Sequence, residues 1–109
     1  MINSINPLSW WRTAQRIKEL KADLVINSAG FGAYGEAIEI SSDVQLDMLK
    51  VNNEALLAIT LAGAKVMREA NSTGVVMNIS SVAGFIPIPY FAVYCASKAF
   101  VNTLSVAAE

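Results

Sequence analysis

Two short apolar runs, Asp23-Leu24-Val25-Ile26-Asn27 and Val75-Val76-Met77-Asn78-Ile79, constrain the fold of this 109-residue chain more than any other feature. Each is short for a helix and rich in β-branched residues. Each also runs into turn formers, Ser28-Ala29-Gly30 in one case and Ser80-Ser81 in the other. Both therefore read as buried strands of a parallel sheet. Around them the apolar period lengthens to that of helices. Ser9 can cap a helix from Trp10 to about Lys21, in which Trp11, Ala14, Ile17 and Leu20 share a face behind Pro7. Ser41-Ser42-Asp43 offers an N-cap for Val44 to Lys50, and a helical run continues from Val51 to about Ala70. The pattern leaves open whether these are one helix or two. Asn71-Ser72-Thr73-Gly74 interrupts it, Gly84 to Pro89 reads as an apolar loop, and a last helix from about Ala92 still runs, uncapped, at Glu109.

The order helix, strand, helix, strand, helix implies an α/β sheet with right-handed crossovers. In such sheets ligands bind beyond the carboxyl ends of the strands. Asn27 to Gly30 and Ser80-Ser81 then open on one edge.

Composition narrows the chemistry. An apolar fraction of 54% suits the core of one domain, while a net charge of −1 leaves no electrostatic footprint for nucleic acid or an anionic membrane. With no histidine and a single cysteine, Cys95, neither a His general base, an internal disulfide nor a Cys/His metal cluster can be assembled. Metal-independent chemistry in a reducing compartment, the cytoplasm, fits best. Met1 to Pro7 has no basic start or apolar stretch, and the run Leu56 to Ala64 is bounded by Glu54 and Lys65, so no leader or membrane span is expected.

Tyr94-Cys95-Ala96-Ser97-Lys98 proposes a reaction. Residues four apart share a helix face, so Lys98 can lie beside Tyr94. A neighbouring ammonium lowers the pKa of a phenol and equips it to exchange a proton with a carbonyl/alcohol pair. A hydroxyl from a strand end, Ser81, could then hydrogen-bond the substrate oxygen. Alone, Tyr94 and Lys98 read as a surface pair, Ser80-Ser81 as a turn, and Asn52 as a helix-start cap. Cys95 reads as a small packing residue.

Gly30-Phe31-Gly32-Ala33-Tyr34-Gly35 matches the dinucleotide fingerprint G-x-G-x-x-G literally. A fingerprint helix must open within the glycine turn, whereas the best cap here is downstream, at Ser41 to Asp43. The segment reads instead as a loop lining the site, its glycines supplying unusual backbone angles.

Taken together, Asn27-Ser28-Ala29-Gly30, Val51-Asn52, Asn78-Ile79-Ser80-Ser81 and Tyr94-Cys95-Ala96-Ser97-Lys98 resemble the short-chain dehydrogenase/reductase family in order and spacing. The resemblance implies a partial Rossmann-like, doubly wound parallel sheet, with residues 1–109 forming an incomplete domain. It implies hydride transfer between a nicotinamide cofactor, NAD(P), and a small carbonyl or alcohol. Tyr94 would be the acid/base, and Lys98 would hold the nicotinamide ribose and lower the Tyr94 pKa. Ser81 would position the substrate oxygen, being preferred to Ser80 because the family spaces serine and tyrosine thirteen apart. Asn52 would support a water-linked proton relay. Asn27, Ser28, Ala29 and Gly30 would border the adenosine side of the cofactor and brace the central sheet, with Ser28 departing from the family's usual asparagine. Phe85 to Phe91 would border the substrate, and the helices near 51–70 and 92–109 would pair two copies. The family's glycine-rich pyrophosphate turn and its later substrate segment are not in this sequence. The alternatives are an inactive remnant or interaction module of the same family and, further off, a nucleotide sensor.

Overall fold

The computed structural model describes residues 7–107. Helix α1 spans Pro7–Leu20 and strand β1 Leu24–Asn27; helix α2, Ser42–Leu49, runs through a π-helical segment, Lys50–Ala55, into α3, Leu56–Glu69. Strand β2, Val75–Asn78, leads to a 3-10 turn at Val82–Gly84 and then to α4, Ala92–Ala107. This is the expected alternation. The N-terminal reading of Met1 to Asn6 and the final two residues lie outside the described residues.

β1 and β2 pair in parallel, with Leu24 opposite Val75 and Asn27 opposite Asn78. Their inner face meets α1 and α3, where Ile17, Val25, Val66 and Met67 form the buried cluster and Ala22, Ile59 and Val76 pack against it. Gly63 brings α3 close to the sheet. A Cβ there would stand 3.1 Å from Val76 Cγ2 and 3.3 Å from Val25 Cγ2. Helices α1 and α3 each end in a left-handed residue, Lys21 at φ 51° and Asn71 at φ 52°, and the next amides bond back into the last turn. That geometry turns the chain directly into each strand.

Several local expectations change. α1 begins at Pro7, which suits the first helical position, so Ser9 lies inside the helix rather than capping it. Ser41 does precede α2, but its side chain makes no capping hydrogen bond. α2 and α3 are one continuous helical path, widened by the π segment. The strands are buried on one face only. Leu24, Ile26, Val75 and Met77 remain 47 to 56% exposed, because strand side chains alternate and the helices pack on the inner face.

Candidate active site

Both strands end in asparagine, and parallel register places the two side by side. Asn27 Nδ2 donates to Asn78 Oδ1 at 2.8 Å and to Thr60 Oγ1 at 3.4 Å; Thr60 Oγ1 donates to Asn78 Oδ1 at 3.3 Å, and Asn78 Nδ2 donates to Ser105 Oγ at 3.1 Å. One network thus ties β1, β2, α3 and α4 together at the carboxyl edge of the sheet. Asn27 itself is turned into the fold, where it braces the sheet.

Beyond that edge lies an open cleft of about 640 Å³ lined by Ser28, Gly30, Gly32, Tyr34, Tyr94 and Lys98, among others. Ala29 is exposed but outside that lining. Behind the lining residue Phe31 lies Asn52, which is fully buried in the π segment. Its Nδ2 donates to Phe31 O at 2.9 Å and to Ser97 Oγ at 3.1 Å, while its Oδ1 accepts from Phe31 N at 3.1 Å. Ser97 Oγ in turn donates to Tyr94 O at 2.7 Å. Asn52 therefore ties the loop after β1 to Ser97 in the second turn of α4. Both Nδ2 protons and one lone pair of Oδ1 are thereby engaged within the fold.

On α4, Tyr94 and Lys98 share the cleft face, with Lys98 Nζ 5.7 Å from the centre of the Tyr94 ring. The ammonium is largely buried and donates to Ile79 O at 3.5 Å, at the end of β2. Tyr34, Phe91 and Tyr94 pack in sequence, their ring centres 5.0 and 5.8 Å apart. The two serines divide their duties. Ser81 Oγ accepts from Ala83 N at 3.2 Å and caps the 3-10 turn, so its own proton stays available. Ser80 lines the cleft, but it donates its proton to Lys98 O at 3.3 Å. Cys95 is buried and accepts weakly from Ile88 N, in keeping with a packing role.

No helix opens at Gly30 to Gly35, as the discounted fingerprint required. The expectation of unusual backbone angles holds at Gly35 alone, with φ 153°; Gly30 and Gly32 take no positive φ. Their missing side chains make room instead. A Cβ on Gly30 would stand 3.0 Å from Asn52 Oδ1 and 3.4 Å from Lys98 Nζ. A side chain there would fill the space beside the ammonium.

Sequence reasoning overlooked Thr60, Ser97 and Ser105, and gave Asn78 no task of its own. A signal for Asn78 was present. Leu24-Val25-Ile26-Asn27 and Val75-Val76-Met77-Asn78 repeat one pattern, so equal register pairs their asparagines.

Residues 11–109 match the profile of the short chain dehydrogenase family. An uncharacterized oxidoreductase of Schizosaccharomyces pombe is 39% identical over 83 residues, covering 76% of this chain and 28% of that protein. The bulky-bulky ketone specific alcohol dehydrogenase from Comamonas testosteroni superposes with a TM-score of 0.91 at 26% identity, over 98% of this chain and 43% of that one. A short-chain dehydrogenase from Sphingobium yanoikuyae in complex with NADPH gives 0.89 at 27% identity, over 97% and 42%. The chain thus spans less than half the length of these relatives.

Proposed function

The chain belongs to the short-chain dehydrogenase family, and on that premise we propose that it carries the acid/base portion of an NAD(P)-dependent oxidoreductase site acting on a carbonyl/alcohol pair. The observation that carries this reading is the single cleft shared by Tyr94, Lys98 and the ends of both strands. The lining suits a dinucleotide at the same edge: Ser28 and Gly30 border an open cleft, and the absent Gly30 side chain leaves space beside the Lys98 ammonium. Lys98 would hold the nicotinamide ribose, while Ser28 and Gly30 would border the adenosine side, with Asn27 and Ala29 shaping the turn. When bound, the nicotinamide supplies or accepts the hydride.

In the reducing direction, Tyr94 donates its hydroxyl proton to the carbonyl oxygen as the carbonyl carbon gains a hydride; in the oxidising direction it takes the alcohol proton. Lys98 provides a fixed positive charge beside that exchange. Ser81, whose proton is not spent within the fold, donates a hydrogen bond to the substrate oxygen and holds it as charge changes there. Asn52 acts through the loop it clamps, keeping Phe31 in the cleft lining fixed relative to α4. Phe91 and Tyr34 favour an apolar substrate portion.

A second reading is that the chain alone is an inert or interacting portion of such an enzyme. The half-exposed sheet face and an apolar groove lined by Leu46, Leu49, Leu57 and Phe100, between α2–α3 and α4, favour it. Titrating the purified chain with NADH and NADPH separates the two. Saturable binding supports the oxidoreductase reading, and its absence supports the inert one.

A further inference from the structure

The glycines of Gly30 to Gly35 have no helix behind them, and Gly32 sits at an ordinary backbone angle, so neither phosphate binding nor turn geometry accounts for it. Its surroundings do. A Cβ on Gly32 would stand 2.9 Å from Tyr94 Cδ1, 3.2 Å from Cγ and 3.3 Å from Cε1, well inside the roughly 3.5–4.0 Å at which carbon atoms rest against one another.

The loop is held where it could otherwise retreat. Asn52 engages both the N–H and the carbonyl of Phe31, immediately before Gly32. On the other side, Gly35 N donates to Tyr90 O at 2.9 Å, and the Tyr34 ring packs edge-on against Phe91. The Tyr94 ring also borders Phe91, at 5.8 Å. With the loop tied on both sides, a methyl group at position 32 would have to be accommodated by the ring.

We propose that Gly32 is a positioning residue for Tyr94: the missing side chain lets the ring rest against the clamped loop and so fixes where the phenol hydroxyl meets the substrate oxygen. The inference deepens the proposed function, and only its kinetic arm rests on that reading.

The test is a stability cycle combining Gly32→Ala with Tyr94→Phe and with Tyr94→Ala in the full chain. Phenylalanine keeps the ring atoms that the new methyl meets, and alanine removes them. Gly32→Ala should lower the thermal midpoint by about 4 °C or more in the native and Tyr94→Phe backgrounds, and leave it unchanged or slightly raised in Tyr94→Ala. An equal loss in all three backgrounds would overturn the proposal, because the methyl would then be colliding with something other than the ring. If Gly32→Ala does not fold, recovery of folding in the Gly32→Ala/Tyr94→Ala double variant supports it, and failure there counts against it.

The second arm follows NADPH oxidation with a ketone that the native chain turns over. Gly32→Ala should cut kcat by roughly tenfold to a hundredfold while KM and the NADPH Kd stay within about twofold, the signature of a misplaced reacting group. Unchanged kcat would overturn the positioning role. If the native chain turns nothing over, that outcome supports the inert reading of the chain alone, and the stability cycle still decides the role of Gly32.

Discussion

At the carboxyl ends of the two strands, polar side chains find partners across four elements, through Asn27, Thr60, Asn78 and Ser105 and again through Asn52 and Ser97. On the outward face of the same strands, Leu24, Ile26, Val75 and Met77 stand about half in water. A buried polar group left unpaired is expensive, whereas an exposed apolar side chain forfeits only the gain of burial. The difference locates the geometric demand at the cleft edge. The chain's cohesion rests on the inner face.

Four substitutions test that contrast. The largest effect belongs to Tyr94→Phe, which should reduce turnover by about 10²–10⁴-fold while cofactor binding, read by NADPH fluorescence, persists. Undiminished turnover would remove the cleft's claim to be catalytic. Next, Ile17→Ala deletes a side chain from the buried cluster and should cost about 3 kcal/mol in urea unfolding. Asn52→Ala removes three hydrogen bonds and leaves Phe31 N and O to find other partners, for about 2 kcal/mol. It should also increase amide exchange at Phe31 and Gly32, which an isolated stability change elsewhere in the chain would not single out. The smallest effect is expected from Ile26→Ala. This is the same chemical change as Ile17→Ala, made at a side chain 55% exposed, and should cost less than about 1 kcal/mol. A cost equal to that of Ile17→Ala would mean that the outward face is covered in solution, and the contrast between the two faces would dissolve.

The candidate site residues were unevenly legible. Tyr94 and Lys98 could be paired from sequence because helical spacing fixes which side chains share a face. The strand ends were equally plain, since apolar β-branched runs halted by turn residues have few other readings. Asn52 was found by its place in a motif, but the contacts of its side chain were not legible. Its amide is consumed in holding Phe31, a residue 21 positions away that no local pattern connects to it. Ser81 and Ser80 were separable by spacing, but the proton bookkeeping that distinguishes them depends on Ala83 and on the Lys98 carbonyl.

The sequence by itself determined the order of helices and strands, the family, and the sharing of one helix face by Tyr94 and Lys98, because each of these is written in local periodicity and short spacings. Tertiary structure alone decided that Asn27 meets Asn78, that Asn52 grips both the N–H and the carbonyl of Phe31, and that a Cβ on Gly32 would meet the Tyr94 ring. Those facts depend on strand register and on the distance between packed elements. Side-chain volumes across the whole chain set both, and no single segment contains that information.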